Sequence, residues 1–245
     1  MDQAESLRSL LGQAQYQIEP ILADVGSSYL KPLCQALLKH HARRDAGSLI
    51  FDGGFLVAEP QRKLDLMSVL ENRSSLEDIA KPLLPNQFLV QAIQAFAGLS
   101  SNLDAVSLFE QKMHRLPGTC DFIYATLAKP QVALAERLAK SSACFWLVEP
   151  TSKSVTETFK AIRYSDCQEK AMKHRIIVVG AASVQQADDV FASLQDVLPG
   201  SDTSALQYCG HVPKLETGKN NSKVTQACER VVKVMATGRA PMACI

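Results

Sequence analysis

Apolar residues in this chain fall into short continuous runs, separated by stretches in which they recur every three or four positions. The runs Ile18–Ala23, Ser48–Phe51, Phe88–Ile93, Asp121–Thr126, Ala143–Val148, Arg175–Val179 and Ala205–Cys209 predict strands. Helical spacing predicts helices near 29–42, 60–70, 75–81, 103–115, 130–140, 154–163, 184–198 and 222–236. Runs that stay apolar instead of alternating belong to strands covered on both faces, and strands that each lead into a helix build parallel βα units. The expected fold class is therefore α/β: a three-layer arrangement with a mostly parallel central sheet flanked by helices. Ligands are expected at the carboxyl ends of its strands.

Local signals set the element ends. Ser101 or Asn102 is placed to cap the fourth helix and Ser154 the sixth. Pro32 suits the first turn of its helix. Gly47 follows the basic stretch Lys39-His40-His41-Ala42-Arg43-Arg44 as a C-cap glycine would, with cations set against a helix C-terminus. The polar stretch Gly218–Lys223 reads as a loop. Residues 1–17 are expected to form a capped N-terminal helix or arm, and residues 18–245 a single domain.

Composition narrows the class. With 245 residues, 47% of them hydrophobic, the chain can bury one large core. A net charge of +1 argues against a nucleic-acid partner held by bulk electrostatics. The seven cysteines are scattered without a C-x-x-C pair, as reduced thiols of a cytoplasmic protein are. No charged-then-apolar leader opens the chain, and no apolar run reaches the ~18 residues of a membrane span. The tail from Glu229 to Ile245 carries a thin basic face broken by Gly238 and Pro241, which favours a packed final helix over a strong membrane anchor.

Little enzyme chemistry stands out. His40, His41, His114, His174 and His211 lack ligand spacing, so no metal site is expected; His114 and His174 read as solvated. Gly26-Ser27-Ser28 lacks a nucleophile elbow and reads as a turn. Asp121 and Glu149 can both be placed near strand ends, where an acid–base pair competes with cap or surface roles. Trp146 reads as core.

Behind Met1, Asp2-Gln3-Ala4-Glu5-Ser6-Leu7-Arg8 starts a helix: Asp2 and Glu5 have capping-box spacing, and Ala4, Leu7, Leu10 and Leu11 share a stripe. This D-Q-A-x-x-L-R wording resembles the N-terminal segment of the flagellar-number regulators called FlhG, FleN or YlxH. The body agrees. Ser48–Gly54 looks like a strand ending in a switch sequence, and Cys120–Tyr124 like the strand leading to a second switch. Phe145–Ser152 looks like a "TPEPTS" strand end, and Gly210-His211-Val212-Pro213 like a late G-x-[VI]-P turn. In that order these segments are similar to the MinD/ParA P-loop ATPases, to which the FlhG branch belongs.

The departures are as informative. Such an ATPase needs a glycine-rich loop whose N–H groups, lysine and Ser/Thr hold phosphates and magnesium. On the resemblance, the signature lysine falls at Val25, the phosphate lysine at Leu30 and the magnesium-binding hydroxyl at Lys31; Gly26 alone of the glycines is kept, and Asp24 brings a negative charge. The first switch keeps Asp52 but has Gly54 for its second acid. The second-switch aspartate falls at Thr126, its glycine at Pro130, and the adenine-reading asparagine near Gly180. The resemblance thus implies a pseudo-ATPase with no cofactor, no metal and no nucleotide-driven dimer. It implies a non-enzymatic regulator of flagellar biosynthesis whose arm binds and stimulates an FlhF-like GTPase. Asp2, Gln3, Ala4, Leu7 and Arg8 would make the contact, with Gln3 acting on catalysis. Further expected partners are flagellar switch or basal-body proteins, with recruitment through a partner to the cell pole or inner-membrane face. The alternatives are a MinD-like scaffold for pilus or polysaccharide machinery, and an enzyme with a site around Asp24, Asp52 and Asp121.

Overall fold

The computed structural model describes residues 17–57, 65–113, 120–139, 143–166, 172–197, 206–216 and 222–236. The strands are β1 (Ile18–Ala23), β2 (Ser48–Asp52), β3 (Lys81–Leu84), β4 (Gln87–Gln91), β5 (Phe122–Ala128), β6 (Ala143–Val148), β7 (Lys173–Ala181) and β8 (Leu206–Pro213). They form one eight-stranded sheet in the order β3-β4-β2-β5-β1-β6-β7-β8. Every pairing is parallel except the β3–β4 hairpin at one edge. The expected α/β class and mostly parallel sheet are what the chain adopts.

The helices are α1 (Leu30–Ala42), α2 (Leu66–Leu70), α3 (Leu76–Ile79), α4 (Ile93–Ser101), α5 (Val106–Met113), α6 (Val132–Ala139), α7 (Ser152–Asp166), α8 (Val184–Val197) and α9 (Ser222–Ala236). Successive strand residues point to opposite faces, so each apolar run feeds two cores. Cys144, Trp146 and Val148 pack on one face with residues of α2 and α4–α8. Phe145 and Leu147 pack on the other with α1 and α9. Two-sided burial is the physical reason the strands read as unbroken apolar runs. Trp146 is fully buried, as expected, and α9 packs through Val224, Ala227, Cys228, Val231, Val232 and Met235.

The structure corrects several local expectations. The predicted helix 75–81 is the single turn α3, closed by a Ser75–Asp78 capping box, and Lys81 already belongs to β3. Pro82 disfavours a helical Lys81 and lacks a helix N–H. Asn86, at φ 57, turns the chain back into β4. The strand expected to run to Ile93 stops at Gln91 because Ile93 opens α4, a helix the sequence reading did not contain. Buried Asp65 accounts for that helix. Its carboxylate accepts from Met67 N–H (2.9 Å), capping α2, and from Gln94 (3.1 Å) and Ala95 (3.1 Å) in the first turn of α4.

Asn102 makes no side-chain cap, and the Ser101 hydroxyl donates back to the Ala97 carbonyl at 3.1 Å. At the end of α1 the left-handed residue is Asp45 (φ 53), not Gly47. Asp45 N–H to Ala42 and Ala46 N–H to His41 are the two bonds of a Schellman motif. Within the basic stretch there, His41 is buried against Phe122, with ring centroids 4.0 Å apart. His174, expected in solvent, is buried and accepts from the Trp146 indole at 3.2 Å.

Candidate functional site

β1 lies between β5 and β6, while its crossover through α1 leads away to β2. The carboxyl ends of these strands therefore open onto a crevice, the usual ligand position in open α/β sheets. The crevice holds a cleft of about 370 Å³, lined by the loop after β1 (Asp24 to Ser27), by Lys129 and Pro130 after β5, and by Glu149 to Glu157 after β6.

Lys129 is central. It directly follows the apolar run of β5, its side chain is 2% exposed, and its Nζ lies 2.9 Å from Asp24 Oδ1. That contact is an ion pair. The ammonium donates to Ser154 Oγ (2.8 Å) and to the Ser154 carbonyl (3.3 Å). The Ser154 hydroxyl donates to Asp24 Oδ2 (2.6 Å) and accepts from Glu149 N–H (2.9 Å). Burial lowers the Lys129 pKa, and the neighbouring Asp24 carboxylate opposes the shift. Ser154 thus ties β1, β5 and β6 together. The cap of α7 is Thr151, whose Oγ1 accepts from Ser154 N–H at 3.2 Å, which corrects the expected cap at Ser154.

Asp52 ends β2 beside Thr126 of β5. Its two oxygens accept from the N–H groups of Gly54 (3.1 Å), Phe55 (2.8 Å), Leu56 (3.1 Å) and Val57 (3.1 Å). The Thr126 hydroxyl adds a further donor at 3.1 Å. Gly53 N–H in turn donates to Thr126 Oγ1 at 3.0 Å. A Cβ at Gly53 would lie 2.3 Å from the Thr126 carbonyl oxygen, so glycine is required for this close approach. Thr126 and Asp52 form one buried knot that folds the following loop back over the strand end.

The other positions that the resemblance assigns to a phosphate loop lie just before or in the first turn of α1. Val25 is 82% exposed, and Gly26 has φ 80 with open space where a Cβ would be. Leu30, the first residue of α1, is fully buried, and Lys31 is exposed on that helix. Tyr29, which the sequence reading did not single out, reaches across to the ends of β7 and β8. Its hydroxyl accepts from Leu215 N–H at 3.2 Å and would lie 2.9 Å from a Cβ on Gly180 (φ 82). The tyrosine ring thus occupies the surroundings of Gly180, where the resemblance puts the adenine contact.

The sheet separates other candidates. Asp121 lies at the amino end of β5, accepting from Gly47 N–H at 2.8 Å, while Glu149 follows the carboxyl end of β6; they are no acid–base pair. Asp121 is likewise apart from Asp24 and Asp52. The Ser27 hydroxyl donates to Glu149 at 3.4 Å, a turn contact. Among the described residues, no group of three or more His, Cys, Asp or Glu side chains could hold a metal ion. No helix among them is long and apolar enough to cross a membrane. Cys34, Cys120, Cys144, Cys209 and Cys228 are buried. Asp2, Gln3, Ala4, Leu7 and Arg8 lie outside the described residues.

Lys129 was also absent from the sequence reading. Its signal was a cation directly after a strand-length apolar run and directly before a proline, in the crevice that the βα pattern predicts.

Comparison with solved structures defines the fold class. The chain is similar to the MinD cell division protein of Aquifex aeolicus, at 14% identity and TM-score 0.58, over 91% of this chain and 99% of that one. It is similar to a putative plasmid partition protein of Borrelia burgdorferi bound to AMPPNP, at 11% identity and TM-score 0.65, over 90% and 98%. It is also similar to a ParA family ATPase of Chlorobium tepidum, at 12% identity and TM-score 0.58, over 89% and 91%. The fold is that of the MinD/ParA P-loop ATPases. No family model and no curated protein matches the sequence.

Proposed function

We propose that this chain is a nucleotide-independent regulator of flagellar biosynthesis, similar to FlhG, which binds and stimulates an FlhF-like GTPase through Asp2 to Arg8. The MinD/ParA fold supports the broader part, a regulator or scaffold built on an ATPase body. The finer part is supported by the D-Q-A-x-x-L-R wording of the N-terminal segment.

Independence from nucleotide rests on the crevice. The residues present do not fit ATP and magnesium. The phosphate-lysine position is a leucine inside the core, and Lys31 stands where a hydroxyl would hold magnesium. The oxygens of Asp52 are already taken by backbone donors and Thr126. The Asp24–Lys129 pair lies in the cleft, and Tyr29 stands over Gly180. Electrostatic stabilisation of a transferring phosphoryl group needs cations and a metal aimed at it. Of the two lysines that line the cleft, Lys129 is paired with Asp24 and Lys153 lies 3.9 Å from Glu157, and no metal-ligating group of three side chains is found among the described residues. The observation that carries this reading is the Asp24–Lys129–Ser154 network.

The test is the GTP hydrolysis rate of an FlhF-like GTPase with the full-length chain added, without ATP. Stimulation by the wild type, lost in Gln3→Ala, is the expected result; a positioned glutamine can change such rates by orders of magnitude. No stimulation by the wild type refutes the flagellar reading. Capture of pilus or polysaccharide components, with indifference to Gln3, would favour the scaffold alternative.

A further inference from the structure

Lys129 carries its charge almost wholly out of water, beside a cleft large enough for a small ion. What balances it comes first from the loop after β1: Asp24, 21% exposed, presents Oδ1 to the ammonium and Oδ2 to the Ser154 hydroxyl, and Glu157 and Glu149 add weaker attraction. One cation and one hydroxyl converging on two oxygens is the donor set that binds carboxylate or phosphate. Beyond Asp24 the loop is uncovered, with Gly26 unshielded and Val25 in solvent.

We propose that Asp24 is the resident counter-ion of an oxyanion site built on Lys129 and Ser154, and that a free carboxylate or phosphate group occupies this site when the Asp24 carboxylate is withdrawn. A tethered carboxylate competes at high effective concentration, so the wild type keeps the site shut. Removing it leaves the buried ammonium with only the weaker attraction of Glu157 and Glu149, an unfavourable state that an anion from solution relieves. This deepens the proposal that the wild-type crevice takes no nucleotide, and rests on it for the claim that the site is closed.

The experiment is thermal denaturation of the full-length wild type, Asp24→Ala, Asp24→Asn and the double variant Asp24→Ala/Lys129→Met. Each is measured at constant ionic strength in chloride, formate and inorganic phosphate. The wild-type midpoint is expected to be the same in all three salts. Asp24→Ala is expected to melt lower in chloride and to recover at least half of that loss in formate or phosphate, saturably. Asp24→Asn follows in the same direction with a smaller loss, because its amide keeps a partner for Ser154. The double variant shows no anion response. An Asp24→Ala protein that folds only with formate or phosphate also supports the site. Single variants indifferent to both anions, or unfolded in every salt, overturn it, as does a double variant that responds like the single one. A wild-type midpoint raised by ATP–Mg²⁺ would contradict the nucleotide-free reading alone and leave the comparison of variants standing.

Discussion

Replacing Asp52 by alanine removes the acceptor that gathers four consecutive backbone N–H groups, from Gly54 to Val57, and the Thr126 hydroxyl. Hydrogen bonds to a charged group contribute about 1.5–3 kcal/mol each, and values within one network do not add. Gly54 is exposed and Phe55, Leu56 and Val57 are half-buried, so water can reach part of what alanine leaves unpaired. The aspartate also no longer has to be desolvated. The expected loss is therefore about 3–4 kcal/mol, in the range of breaking a buried polar network. Thr126→Val removes one donor to Asp52 and one of the two acceptors of Gly53 N–H, which keeps the Thr126 backbone carbonyl at 3.1 Å, and should cost about 1 kcal/mol. The double variant should lose less than the sum of the two. Urea unfolding is the assay, followed through the fluorescence of Trp146, the one tryptophan and fully buried. If Asp52→Ala costs less than about 1 kcal/mol at an unchanged urea slope, Asp52 is not the structural anchor described here. It would then be free for a ligand.

Two further perturbations test the surrounding fold. His41 is buried, exchanges a hydrogen bond with the Tyr124 hydroxyl at 2.9 Å, and faces His40 and Arg44. Burial first, then these neighbours, lower its pKa from 6.5 to about 4. The unfolded chain thus binds the proton more readily, and the stabilisation is complete above pH 6.5 and lost as pH falls toward 4. The size is on the order of 3 kcal/mol. Denaturant midpoints across that interval should show the slope, and His41→Phe should flatten it; an unchanged slope would contradict the assignment. Asp65→Ala uncaps α2 and α4 together and should cost about 2–3 kcal/mol by urea unfolding, more than one ordinary cap. A loss of only a few tenths would show that the shared cap is not what holds α4.

The sheet was legible because its strands are buried on both faces, and an unbroken run such as Ala143–Val148 has few other readings. The hairpin edge and α4 were not. β3 is four exposed residues holding a proline, and α4 depends on Asp65, which lies 28 residues before Ile93 in the chain, so no local window contains its cap. At the crevice the sequence offered only Leu30, Lys31 and Thr126 at positions where the resemblance demands other chemistry. The contacts made there were hidden. Asp24, Lys129 and Ser154 are separated by more than a hundred residues from first to second, and only the strand order β5-β1-β6 makes them neighbours. Tyr29 likewise meets Gly180 and Leu215 only through the closing of β7 and β8 on the sheet.

Whether this fold acts without nucleotide, as proposed above, is decided by isothermal titration of the full-length chain with ATP–Mg²⁺. No saturable heat is expected at nucleotide concentrations up to the millimolar range. Saturable binding with a micromolar Kd, corresponding to about −8 kcal/mol, would contradict the proposal.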